Sequence, residues 1–272
     1  MTATSESFRR TLWRDGSASD GARRLAEETA VAISYNGSTH AVLMATPADL
    51  EDLAVGFSLT EGIVDDVRLI EAISVVEFDL GLDVQVRVHD SVADRLAKRR
   101  RTMAGPVGCG LCGLDSLEAA SRDLPLVRAS TRFTPDGIAL AARTLEDHQI
   151  LNRATGSAHA AGFFVSGEPV LFAREDVGRH NALDKLIGAV LRRGLAARDG
   201  GFVVTSRVSV ELIQKTAVAG CGLLAAISAP TALAVRSARD TNITLAAVVR
   251  GSSFEIFTGP ERIAAEVVAH VA

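Results

Sequence analysis

The sequence predicts an α/β protein in two parts. The reading rests on a hairpin signal followed by an amphipathic helix and short strands before residue 100, an alternation of helix-period and strand-period segments after residue 106, and an ordinary globular composition. Of 272 residues, 47% are hydrophobic and 23% charged, so the chain can bury a full core and is not of a disordered class. The net charge of −4 argues against general nucleic-acid binding, which goes with a basic surplus.

Residues 1–10 are polar, without the apolar run of a secretory signal. Residues 1–15 are therefore expected to be loose, and the protein cytoplasmic. A smaller α/β lobe is expected over 16–105. Within it, Asn36-Gly37 lies between 31–35 and 40–44 and is the dipeptide best suited to a tight hairpin turn. Pro47 precedes a helix with Leu50, Leu53, Ala54 and Phe57 on one face, and Gly62 stands where it would stop. Strands over 73–78 and 84–88 follow, then a basic helix ending in Lys98-Arg99-Arg100-Arg101.

A larger lobe is expected over 106–272. Thr134-Pro135-Asp136 opens a helix over 136–153 that ends before Gly156. A hairpin over 162–166 and 170–173 turns at Gly167-Glu168-Pro169 and leads to a helix over 180–193. A buried strand (202–205), helices (210–219 and 231–238) and two last strands (245–249 and 254–257) complete it. The stretch 216–235 carries no charge and has the length to cross a bilayer of about 30 Å. Its Ala, Gly, Thr, Ser and Pro230 lack the insertion energy of Leu, Ile, Phe and Val, so a buried helix-turn-helix junction is expected and no membrane partner.

The most informative segment is Gly108-Cys109-Gly110-Leu111-Cys112-Gly113. Glycine on both sides and within the pair removes crowding Cβ atoms, which suits a mobile, open loop for working thiols. Three chemistries use this spacing: a zinc knuckle, a dithiol redox centre and a sulfur relay. The zinc reading lacks its second half. Cys221 is single, no His-x₃₋₅-His occurs, and Gly108 stands where zinc deaminases carry proline. Neither His40 nor His89 is followed two positions later by Glu, so no metal site is assigned. A thioredoxin-type dithiol would begin a helix after a strand, unlike this glycine-rich setting. Cys221, in an Ala/Gly run, reads as a small buried hydrophobe.

Other patches read as anion sites. Small residues surround His159 over 155–162, and 174–185 packs charged residues with Arg179 and His180 at a strand-to-helix turn. Ser206 and Arg207 follow the buried strand, and Arg250-Gly251-Ser252-Ser253 forms a further turn. Singly, each turn reads as helix capping, and His159 reads equally as a core histidine. Together they suggest one elongated anionic or nucleotide-like ligand lying across strand ends.

These blocks resemble the FdhD family, the sulfur carrier proteins required for formate dehydrogenase activity. The resemblance is carried by 108–113, by 155–161, by 175–185 and by 228–235, and extends over nearly the whole chain. It implies a cytidine-deaminase-like three-layer domain over 106–272 without the zinc site, the smaller lobe beside it, and a homodimer. It further implies that sulfur comes from a cysteine desulfurase and goes to the molybdenum or tungsten of a bis(molybdopterin guanine dinucleotide) cofactor, before the cofactor enters the formate dehydrogenase apoenzyme. On this resemblance Cys109 would carry the persulfide and Cys112 would assist relay or release. Val248, Val249, Arg250, Gly251, Ser252 and Ser253 would meet the cofactor, with His159, Arg179, His180, Ser206 and Arg207 at the anion turns. A non-covalent chaperone for the cofactor and a dithiol oxidoreductase are the rival readings.

Overall fold

The computed structural model describes residues 2–93, 96 and 123–264. The cysteine pair, the boundary at 105/106 and the basic run 98–101 lie outside them. The chain opens on a hairpin of β1 (Ser5–Arg14) and β2 (Ser17–Ala26), which corrects the expectation of a loose segment over 1–15. The cause is legible afterwards: Asp15 and Gly16 take φ 50° and 78°, the pair of positive angles that closes a two-residue turn.

Asn36 and Gly37 make the same kind of turn, at φ 46° and 79°, between β3 (Thr29–Tyr35) and β4 (Ser38–Ala45). With β5 (Ile70–Phe78) and β6 (Gly81–Val88) they form a sheet of order β4-β3-β6-β5. Helix α1 (Leu50–Thr60) buries the expected Leu50, Leu53, Ala54 and Phe57 against Val31, Ile33, Val84 and Val86.

The second part centres on a six-stranded sheet of order β12-β11-β10-β9-β7-β8. Its strands are β7 (His159–Phe164), β8 (Val170–Asp176), β9 (Gly201–Val204), β10 (Leu223–Ala226), β11 (Thr244–Arg250) and β12 (Ser253–Thr258). The central β9, β10 and β11 run parallel, and β7, β8 and β12 close the edges antiparallel. Helices cover both faces. Phe202, Val204, Leu224 and Ala226 share a core with α4 (Arg179–Arg192), α5 (Val210–Val218) and α6 (Ala232–Asp240), while Val203, Leu223 and Ala225 pack with α2 (Pro135–Thr144). Burial on both faces explains why these strands read as continuous apolar runs.

Two expectations are corrected here. The stretch 216–235 is not a helix-turn-helix junction, because Leu223–Ala226 is the central strand β10. Four buried residues are too few to display a period. The helix expected over 136–153 is broken into α2, a 3₁₀ turn (Leu145–His148) and α3 (Ile150–Thr155). Its interruption is stabilised from β8: the Glu175 carboxylate accepts the N–H groups of Leu151 at 2.7 Å and Asn152 at 2.8 Å, capping α3 afresh.

The two parts meet along α1 and α4 at backbone contact. A Cβ placed on Gly56 would lie 1.9 Å from the Asp184 carbonyl oxygen, and one on Gly188 would lie 1.9 Å from that of Asp52. Buried ion pairs flank this seam. Lys215 reaches Asp184 and Glu61, each at 2.8 Å, and Lys185 reaches Asp176 at 2.6 Å and the Thr46 carbonyl at 2.9 Å. Asp52 accepts from Arg174 at 2.8 Å and Arg192 at 2.6 Å. Buried charges require such partners, since the unpaired ion would carry a heavy desolvation cost.

Candidate functional site

Strand register gathers the expected anion turns at one edge of the six-stranded sheet. His159 pairs with Asp176 and Ala161 with Val204, so β7 begins where β8 and β9 end, and the parallel β10 and β11 end on the same side. The loops there are laced together by backbone. Thr205 N–H donates to Ala160 O at 3.0 Å, Val208 N–H to Ala229 O at 3.2 Å, and Val248 N–H to Ser228 O at 3.3 Å. Clefts outside the carboxyl ends of parallel strands are the usual ligand site of open α/β sheets.

The dense block 174–185 divides its labour. Glu175, Asp176, Asn181, Asp184 and Lys185 are used internally. Asp176, for example, accepts from Gly178 N–H at 2.8 Å, Asn181 Nδ2 at 3.0 Å and Thr46 N–H at 3.0 Å. Arg179 and His180 remain at the sheet edge. Arg179 Nε is buried with no hydrogen-bond partner among the described residues, and the N-cap of α4 is Gly178, which brings no side chain of its own to the first turn that begins at Arg179. An orphan guanidinium nitrogen beside an uncapped helix start has the chemistry of an anion cradle.

The histidines record the same cationic surroundings. Burial, then the Arg179 and Arg207 guanidiniums, push His159 below its ordinary 6.5, with Asp176 opposing. Burial and Arg179 likewise push His180 down, against the pull of Glu211. His180 Nε2 lies 3.4 Å from Ser209 Oγ and 3.8 Å from Glu211 Oε2. Glu211 escaped the sequence reading because Ser209-x-Glu211 at a helix start reads as capping. Arg207 is exposed, whereas the buried Ser206 hydroxyl donates to the Arg207 carbonyl at 3.0 Å.

A lowered histidine pKa means the folded state binds fewer protons than the unfolded one below 6.5, so this contribution to stability is present above 6.5 and is lost as pH falls beneath it. A bound anion reverses the shift. Proton NMR titration is expected to place both histidines below 6.5, and sulfate to raise both; resonances unmoved by sulfate would count against an anion site.

The turn after β11 behaves differently. Arg250 Nη1 donates to the carbonyls of Ile227 and Val249, clipping the turn to the end of β10. Val248 sits in the left-handed region at φ 57°, within a bulge between Ala247 and Arg250. A β-branched residue there stores strain of about 1–3 kcal/mol. Gly251, Ser252 and Ser253 are exposed around that turn, and Val249 is in the core.

Cys109 and Cys112 lie outside the described residues. Cys221 is fully buried, and desolvation pushes its thiol up to about 12, so it is no nucleophile near neutral pH.

Residues 26–264 match the model of the FdhD/NarQ family. The chain belongs to the FdhD/NarQ family. It is 56% identical over 255 residues to the sulfur carrier protein FdhD of Agrobacterium fabrum, covering 93% of this chain and 94% of that one. The FdhD of Brucella abortus is 55% identical over 245 residues, covering 90% and 91%. A solved structure described as a formate dehydrogenase accessory protein, from Desulfotalea psychrophila, superposes with a TM-score of 0.76 at 23% identity, over 96% of this chain and all of that one. It shares the fold. The FdhD/NarQ match begins at residue 26, the last residue of β2, so the opening hairpin otherwise precedes the matched span.

Proposed function

We propose that this protein is a sulfur carrier that takes persulfide sulfur from a cysteine desulfurase onto Cys109. It passes that sulfur to the molybdenum or tungsten of a bis(molybdopterin guanine dinucleotide) cofactor destined for formate dehydrogenase. The observation that carries the reading is the glycine-flanked Cys109/Cys112 pair in a chain whose third cysteine is inert by burial. The names of relatives more than half identical over nine-tenths of the chain support it.

The chemistry balances with two thiols. The Cys109 thiolate attacks the outer sulfur of the donor's persulfide, forming one S–S bond as another breaks and returning the donor as a thiolate. For release, the Cys112 thiolate attacks the Cys109 sulfur. The outer sulfur leaves as hydrosulfide for the metal, and a Cys109–Cys112 disulfide remains for a dithiol reductant to reopen. The cargo is an elongated polyanion, and the sheet edge fits it: Arg179 with its free Nε, Arg207, the uncapped start of α4, and two histidines able to take up protons. In this reading His159, His180, Ser206, Val248, Arg250, Gly251, Ser252 and Ser253 line the same edge, and the buried Val249 supports it from the core. Within this reading the helix-covered sheet is a cytidine-deaminase-like domain without zinc, the protein works in the cytoplasm, and it is a homodimer.

The test is intact mass after incubation with a desulfurase and cysteine. A reductant-labile gain of about 32 Da, one sulfur, is expected. No gain with any competent desulfurase overturns sulfur carriage and leaves a chaperone that holds the cofactor without covalent chemistry.

A further inference from the structure

The β1–β2 arm stands out from both cores. Its strands pair with each other alone among the described strands, and nearly all of their residues are exposed. It is tied to the body at its base, where Glu27 N–H donates to Thr4 O at 2.8 Å, and by Arg23 Nη2, which donates to Thr155 O at 3.2 Å. Near the tip Trp13 is 72% exposed, and Phe8, nearer the base opposite Arg23, is 48% exposed. A lone two-stranded ribbon is marginal in water unless something covers it, and large aromatic side chains held in solvent mark a contact surface.

Charge indicates what covers it. The arm carries Arg9, Arg10, Arg14, Arg23 and Arg24 against Glu6, Asp15 and Asp20, whereas the whole chain is −4. The basic arm therefore projects from an acidic body. We propose that the arm clasps the acidic body of a second copy of this chain, with Trp13 buried in the joint. Two such contacts form a closed two-fold pair, each arm on the other's body, and Trp and Arg are the residue types that carry most interface energy. The arm also borders the anion edge: a Cβ on Gly156 would lie 3.1 Å from Arg23 Nη2, three residues before His159. This inference rests on the dimer in the reading above and not on its sulfur chemistry.

Trp13 is the chain's single tryptophan, so its fluorescence reports on the arm alone. Sedimentation velocity and emission would be read together on the full chain over a dilution series. The expected result is a dimer at micromolar concentration whose blue-shifted emission moves to that of water-exposed indole as it dissociates. Trp13→Ala and the double change Arg9→Glu, Arg10→Glu, each with unchanged circular dichroism, are expected to weaken the dimer at least about tenfold, as is about 0.5 M salt. A dimer whose Trp13 emission stays that of exposed indole, or that ignores Trp13→Ala, overturns the arm and keeps the dimer. A monomer at every concentration overturns both, and the mass gain of a sulfur atom is read separately from either.

Discussion

Cys109→Ala is expected to take up no sulfur from a desulfurase and to leave formate dehydrogenase inactive in cells, with thermal unfolding unchanged. A persulfide forms only on a thiolate, and the remaining thiols are not equivalent substitutes. Cys221 is sealed in the core with its thiol pushed up to about 12 by desolvation, so near neutral pH it stays protonated and out of a donor's reach. Cys112 stands in the same glycine-rich segment, but in the proposed sequence it acts second, by expelling hydrosulfide. Cys112→Ala should therefore load a sulfur that reductant removes, yet fail to deliver it, and Cys221→Ala should load and deliver as the parent does. Loading in Cys109→Ala, or activity retained with it, would remove the basis of the assignment.

Gly188→Ala is expected to lower the melting temperature by roughly 4–8 °C, as is Gly56→Ala. In an ordinary helix this substitution gains about 1 kcal/mol of propensity. Here each new methyl would lie 1.9 Å from a backbone carbonyl oxygen of the facing helix, and backbone cannot step aside as a side-chain tip can. Forcing α1 and α4 apart costs about 3 kcal/mol, so the clash outweighs propensity and the net loss is about 2 kcal/mol. Because α4 begins with Arg179 and His180, the shift is also expected to disturb the proposed anion edge. Calorimetry decides it: a melting temperature equal to or above that of the parent would mean that the helices do not meet at these glycines.

Much of the molecule was legible because its signals are local. Asn36-Gly37 announced one hairpin, and Asp15-Gly16, of the same chemistry, announced another that was overlooked because the surrounding strands are polar and exposed. A pattern of apolar alternation marks only strands with one buried face, and this arm has none. The break between α2 and α3 was hidden for the opposite reason. Its cap comes from Glu175, more than twenty residues downstream, and long-range capping leaves no trace in the helix's own sequence. At the candidate site, residue types predicted cations at strand ends but not their assignment. Asp176 and Lys185 look like site residues in a charged run and are instead fully buried partners. The strain at Val248 belongs to a bulge that only the pairing of β11 with β12 defines.

The shared seam makes the protein indivisible in a particular sense. The first part has its own sheet and one apolar cluster, and the second has its sheet with a cluster on each face, so each has the outward anatomy of a separate module. Yet the small part keeps Asp52 only by borrowing Arg174 and Arg192, and the large part keeps Lys215 satisfied by borrowing Glu61 and Thr60. Excising either would leave a glycine-flattened helix face and stranded charges where its neighbour had been. Natural shuffling could not trade these pieces one at a time. The unit that evolution can move, duplicate or fuse is the whole pair of lobes, with the proposed anion edge anchored on α4 at the seam between them.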